Sequence, residues 1–410
     1  MQLKRGTAMT LLKSFLLLAA FGTSLFAQAE YGRGSYDQRC FTPGSDQTPA
    51  IRLKATFKTE SDIRGEPLIL ADGTVVIGST DKYIYLINPN ATLKAKVKTL
   101  GGNVASGALM KDGTIIIGSG DGKLYFIKSN GVLESTMETQ GSVFSSPLVK
   151  KDGSVVFGST DGNIYFLTAE GRSRAILHVH SPVSGSAVET SDGSIIVGAM
   201  DGSVYFLSAD GILLSSFKTG GALGDPSLTV DDGVVIGATD GKVYFFDSKG
   251  NLKNTFVSGS NGVGRPLVSS TGVVVGSLNH HLNFLSLDGV LQKSFTTGGA
   301  FAGTPVLMKN GTILAGSNDD VIHYLRADGT EIKAIGPLLP ADKDDDGGQA
   351  YLTPAVVMND GTAVVGSADG NVYFFETDAG ARPCPSSTAH KIEARKRHFL
   401  DLALNLGFAF

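Results

Sequence analysis

Residues 145–168 read SSPLVKKDGSVVFGSTDGNIYFLT, and residues 185–208 read GSAVETSDGSIIVGAMDGSVYFLS. The two stretches align without a gap. Each holds a short apolar run, an Asp-Gly pair, a second apolar run, another Asp-Gly pair and an aromatic-rich run. Asp-Gly is a favoured tight-hairpin turn, because glycine tolerates positive φ and aspartate tolerates it better than most residues. The reading is therefore strand, turn, strand, turn, strand. A fourth strand such as Leu213 to Thr219 follows a third turn.

The pattern runs from about residue 62 to residue 380. A turn glycine recurs at Gly73, Gly113, Gly153, Gly193, Gly233, Gly272, Gly311 and Gly361. A second glycine recurs at Gly78, Gly118, Gly158, Gly198, Gly237, Gly276, Gly316 and Gly366. Four-stranded meanders of about 40 residues are the size of propeller blades. The expected fold is all-β: an eight-bladed propeller of four-stranded antiparallel blades. Solenoid stacking is the alternative, but no helical periodicity accompanies the repeat.

The last copy ends at Tyr373-Phe374-Phe375 without a fourth strand. Residues 53–59, LKATFKT, match the fourth strand of copy four, LLSSFKT at 213–219. The N-terminal strand is therefore expected to complete the last blade, which hides the edges that an open array exposes. Cys40 and Cys384, the two cysteines of the chain, flank these two pieces. In an oxidising compartment they are expected to form a disulfide.

Four segments follow. Residues 1–29 read as a cleaved signal peptide, with Lys4, Arg5 and Lys13 before the apolar stretch Phe15–Phe26 and Ala27-Gln28-Ala29 at its end. Residues 30–50 form an N-terminal segment, 51–385 the propeller and 386–410 a C-terminal tail. The expectation is an exported protein, periplasmic or extracellular, monomeric and without a transmembrane span. The formal charge is −4; without the three leader cations, 32 basic face 39 acidic residues, about −7. That balance argues against nucleic acid as a partner.

The run G-S-x-D-G-x-[IVL]-Y-F-[LI], at 158–167 and 366–375, resembles the pyrroloquinoline-quinone-type propeller repeat. The resemblance covers about residues 50–380. It implies the propeller fold, and it serves both quinone-dependent dehydrogenases and propellers without a cofactor. The dehydrogenases resemble one another in tryptophan-rich repeats, whereas this chain has no tryptophan. Quinone is therefore not expected. The chain looks closer to the non-catalytic branch, which includes the propeller lipoprotein of the outer-membrane barrel-assembly machine, although it lacks the lipidation cysteine. The implied role is a scaffold binding an envelope protein or glycan, with outer-membrane assembly as one setting. The alternative is an enzyme (hydrolase, lyase or quinone-type oxidoreductase) with a site on the propeller face.

Residues that break the repeat are the candidates for function. The third-strand tyrosine (Tyr85, Tyr125, Tyr165, Tyr205, Tyr244, Tyr373) gives way to Asn283 and His323. The six tyrosines are expected to pack, with hydroxyls bonded locally. Copy six replaces its second Asp-Gly with Asn279-His280-His281, and copy seven reads Asn318-Asp319-Asp320. These turns are expected on the same face as the links between blades. There Arg64, Phe144, His180, Arg265 and Phe301 complete the expected binding face together with His280, His281, Asp319 and Asp320. His280, His281 and His323 offer a weaker transition-metal reading, since adjacent histidines point apart. The long link to the last copy contains Asp342-Lys343-Asp344-Asp345-Asp346-Gly347. Asp342, Asp344 and Asp346 resemble the start of a calcium loop, with Thr353 where a closing glutamate is usual; a solvated acidic loop is the alternative reading. In the tail, Leu402, Leu404, Leu406, Phe408 and Phe410 alternate with smaller or polar residues, which suits a docking strand or a disordered end.

Overall fold

The computed structural model describes residues 52–336, apart from 261, 302, 309 and 320, and residues 352–376. Blade three shows how the repeat folds. Strands Leu148–Val149, Val155–Gly158, Asn163–Leu167 and Ser173–His178 pair in sequence order, all antiparallel. Asp152 accepts the Ser154 N–H at 2.9 Å and Asp161 accepts the Asn163 N–H at 3.0 Å, so each aspartate closes its own turn. Gly153 and Gly162 follow with φ of +92° and +86°, a region costly for a residue with a Cβ. In blade five the left-handed residue is Asp232 rather than Gly233.

Among the described residues there are eight such four-stranded sheets. Seven run in sequence order. In the eighth, strand Arg52–Lys58 pairs antiparallel with Asn371–Glu376, the third strand of the last blade. Phe57 stands opposite Val372 and Thr56 opposite Tyr373. The expected closure is observed, one residue earlier than the sequence match suggested. Beyond the strand, the Thr59 N–H and hydroxyl both donate to the Gly370 carbonyl at 2.8 Å. Thr99, Thr139 and Thr219 make the same hydroxyl bond within their blades. The seam is thus built like any other blade.

The apolar core lies between blades. Ile63, Val75, Ile77 and Ile87 of blade one pack with Met358, Val364, Val372 and Phe374 of blade eight. Burying a side chain such as Phe374, which is fully buried, is worth on the order of 1.5–3 kcal/mol. Fourth strands are mostly exposed, as the pattern of Leu133–Glu138 shows. First strands of successive blades touch one another and form the inner ring. No helix among the described residues is long and apolar enough to cross a membrane.

Candidate functional site

The links between blades share a face with the second Asp-Gly turns. The Thr80 N–H donates to the Asp62 carbonyl, that of Gly120 to Gly102, and that of Thr160 to Ser142, each at 2.9 Å. Most of this face belongs to a repeated staple. The hydroxyls of Tyr85, Tyr125, Tyr165, Tyr244 and Tyr373 donate to the aspartate four residues earlier at 2.6–2.7 Å. Three of those carboxylates also accept a backbone N–H from the preceding blade: Glu60 to Asp81, Leu100 to Asp121 and Gln140 to Asp161. Burial raises the Asp121 pKa, but bonds from Tyr125, the Leu100 N–H and Ser119 outweigh it and leave the carboxyl below its usual range. Burial, with Asp161 as acceptor, pushes the Tyr165 phenol up to about 12. It therefore remains a donor, as its packing role requires. Tyr205 departs, since its hydroxyl reaches only the Val179 carbonyl at 3.4 Å.

In the link to blade three, Val143 is buried, Phe144 is half-buried against Gly120, and Ser146 enters the inner ring. Arg64 occupies the position of Phe144 in blade one; it is half-buried and its guanidinium pairs with Asp62 at 2.8 Å. His180 is exposed with φ of +56°, and its ring stacks beside His178. These three stand on the expected face.

Phe301 and Arg265 do not. Phe301 is 1% exposed and packs in the core between blades six and seven. It takes the position of Val143, not of Phe144, and a one-residue offset in an extended segment reverses the side chain. Arg265 is 4% exposed and takes the position of Ser146, because only one residue separates it from the buried Val263 where two separate Val143 from Ser146.

That inner position is the part of the site that sequence reasoning missed. The Ser106 hydroxyl accepts the Glu66 N–H at 2.7 Å, Ser146 accepts that of Ser106 at 3.0 Å, and Ser186 accepts that of Ser146 at 2.9 Å. Asp225 then accepts the Ser186 N–H at 2.5 Å through Oδ1, while its buried Oδ2 has no partner. Burial, only partly offset by the charge of Arg265 and the bonds from Ser186, pushes the Asp225 carboxyl up to about 7. Arg265 donates from Nε to Ser227 at 3.4 Å, and the buried Thr304 hydroxyl has no partner. The position thus holds serine in blades two to four and a charged residue in blades five, six and one, where Glu66 is buried. The available signal was the interval: serines spaced by 40 residues, then Asp225 one residue early.

The histidines do not converge. His280 is exposed at φ +70°, where most blades have glycine, while His281 is half-buried with Nδ1 2.8 Å from the Thr296 hydroxyl. His323 is buried against the edges of Phe295 and Phe301, with Nδ1 2.7 Å from Glu331 and Nε2 unpartnered. No group of three potential metal-binding side chains occurs among the described residues. Asp319 is half-buried and accepts the N–H groups of Gly298 and Val321. Asp320, the Asp342–Asp344–Asp346 motif, Cys40 and Cys384 lie outside the described residues.

No family model matches this sequence, and no curated protein matches it. Solved structures do. BamB from Moraxella catarrhalis is similar with a TM-score of 0.65 and 18% identity, over 80% of this chain and 100% of that one. The computationally designed protein Ika8 is similar with a TM-score of 0.65 and 19% identity, over 79% of this chain and 99% of that one. The WD40 β-propeller domain of Doa1 gives a TM-score of 0.53 and 17% identity, over 80% and 97%. At these identities what is shared is the propeller fold. Because the likeness extends to a WD40 propeller, it does not single out the quinone-type repeat.

Proposed function

We propose that the chain is a non-catalytic scaffold whose link face holds a protein partner in the cell envelope. One observation carries this reading: the accessible pattern-breaking side chains Arg64, Phe144, His180 and His280 gather on the link face. A rigid frame that varies its loops on one face is a common way to build a binding surface. The likeness to BamB supports a propeller scaffold, and the repeat resemblance points to outer-membrane assembly as the setting. Removal of residues 1–29 and a Cys40–Cys384 disulfide belong to the same reading, since both follow from export. Intact mass and thiol titration check them, and two free thiols in the exported protein would refute the disulfide.

The test of the scaffold is photo-crosslinking in living cells. A photoreactive residue at Phe144 should yield a protein adduct, and one at Asn130, in an exposed turn at the opposite ends of the strands, should not. Equal labelling from both positions, or none from Phe144, overturns the face assignment. Turnover of a small substrate by the purified chain overturns the non-catalytic reading.

A further inference from the structure

A second surface stands apart from the link face. Two neighbouring fourth strands, Arg52–Lys58 of blade eight and Leu93–Lys98 of blade one, read RLKATFK and LKAKVK. Together they carry Arg52, Lys54, Lys58, Lys94, Lys96 and Lys98, all exposed, and no acidic residue. The six other fourth strands carry five cations between them (Arg174, Lys218, Lys253, Lys293, Lys333) and three acids (Glu134, Glu138, Glu331). The cationic pair of strands is contiguous, because the Glu60 N–H that follows the first bonds to Asp81 of blade one. Packing does not require this charge, since the positions of Lys96, Lys94 and Lys98 are filled by Ile176, Leu214 and Val257 in other blades.

Internal pairing leaves most of the charge unspent. Lys54 meets Asp360 at 3.4 Å and Lys94 meets Asp72 at 2.9 Å, both aspartates being exposed. Such surface pairs are worth roughly 0–1 kcal/mol and exchange readily. Lys58 donates to the Asp369 carbonyl and Lys96 lies over the Tyr83 ring at 4.4 Å, neither of which neutralises a charge. Glu60 is the acid that follows the first strand. At one end of the two strands Leu53 and Leu93 are 54% and 47% exposed, so apolar side chains stand beside the cations.

We infer that this sector of blades eight and one docks the propeller on an anionic lipid surface. Headgroup phosphates would meet the six cations, and Leu53 and Leu93 would enter the boundary below them. The apolar pair favours a lipid surface over a nucleic acid, which rewards cations alone. This inference does not depend on the protein partner proposed for the link face.

The test compares partition of the full chain into neutral phosphatidylcholine vesicles and into vesicles with about 30% phosphatidylglycerol. The ratio of the two is the readout, and its change between variants isolates the sector, because the leader cations Lys4, Arg5 and Lys13 are common to all of them. The ratio should be large and should collapse at about 0.5 M salt. The triple variant Lys94→Glu, Lys96→Glu, Lys98→Glu should lower it about a hundredfold. Lys253→Glu, on a distant fourth strand, should leave it nearly unchanged. If the triple variant unfolds, Lys96→Gln with Lys98→Gln replaces it and should lower the ratio about tenfold or more. A ratio near one for the unaltered chain, or equal loss with Lys253→Glu, overturns the inference. So does retention of a DNA duplex in preference to the anionic vesicles.

Discussion

Blades two to four and blades five to seven share one fold but differ at its inner ring. In the first arc a single hydrogen bond repeats, from a backbone N–H to the serine of the next blade, at Ser106, Ser146 and Ser186. In the second arc the same position holds Asp225, Arg265 and Thr304, and both the Asp225 Oδ2 and the Thr304 hydroxyl are buried without a partner. The third-strand tyrosine is also lost there, to Asn283 and His323, and His323 adds another unpartnered nitrogen. A buried unsatisfied polar group costs about 1–3 kcal/mol. At the inner ring the regular, serine arc therefore pairs its polar groups while the irregular second arc does not, although Asn103 Oδ1 and Asn163 Oδ1 are buried without a partner elsewhere in the serine arc.

Four experiments follow, of which the first two set one arc against the other. The largest effect is expected at Phe301, which replaces the small Val143 of the regular arc. Phe301→Ala should destabilise by about 3–5 kcal/mol and Val143→Ala by about half of that or less, measured by denaturant unfolding. A loss below 1 kcal/mol at Phe301 would place that ring outside the core.

Asp225 should make stability depend on pH in a known direction. Its carboxyl titrates near 7 folded, against 3.8 as the reference value. Below pH 4 both states are protonated and nothing is lost. Between pH 4 and 7 the unfolded chain releases the proton while the folded chain keeps it, so stability falls as pH rises. Above 7 both are ionised and the loss stays constant, at up to about 4 kcal/mol. Asp225→Ser should remove this slope and raise stability at pH 8. Ser146→Ala, in the regular arc and away from Asp225, should instead cost about 1–2 kcal/mol at every pH by leaving the Ser106 N–H unpaired. An unchanged slope in Asp225→Ser would show that the carboxylate is not buried as described.

The tyrosine staple gives a smaller difference. Tyr165→Phe removes a 2.6 Å bond to Asp161 and should cost about 1–1.5 kcal/mol. Tyr205→Phe removes only a 3.4 Å contact and should cost under about 0.5 kcal/mol. Equal losses would mean that the staple contributes through ring packing alone. The smallest expected effect lies on the link that follows the irregular arc. We propose calcium at Asp342, Asp344 and Asp346, so calcium should raise the melting temperature modestly. Replacing all three by alanine should abolish the shift, and no shift in the unaltered chain would leave a solvated acidic loop.

Much of the link face was legible in the sequence, because exposure there follows from a position in the repeat. Arg64, Phe144 and His180 were placed there because they lie in the links between copies. Phe301 and Arg265 were misplaced by a single residue. For Arg265 the cause is a link one residue shorter after Val263 than after Val143, in a composition that reads the same in either register. The inner ring escaped notice for a related reason: Ser106, Ser146 and Ser186 look like ordinary turn residues until the neighbouring blade brings an N–H to each of them.

The sequence by itself determined the number of blades, the order of strands in each and closure by the N-terminal strand, to within one residue. Those features rest on local chemistry, namely Asp-Gly turns, short apolar strands and one missing strand with one spare. Only the tertiary structure decided which link residues face the axis, the core or the solvent. It also decided that Asp225 is buried beside Arg265, and that two separate runs of lysines form one cationic sector. These depend on contacts between residues about 40 apart or at opposite ends of the chain. Such contacts come together only when the ring closes.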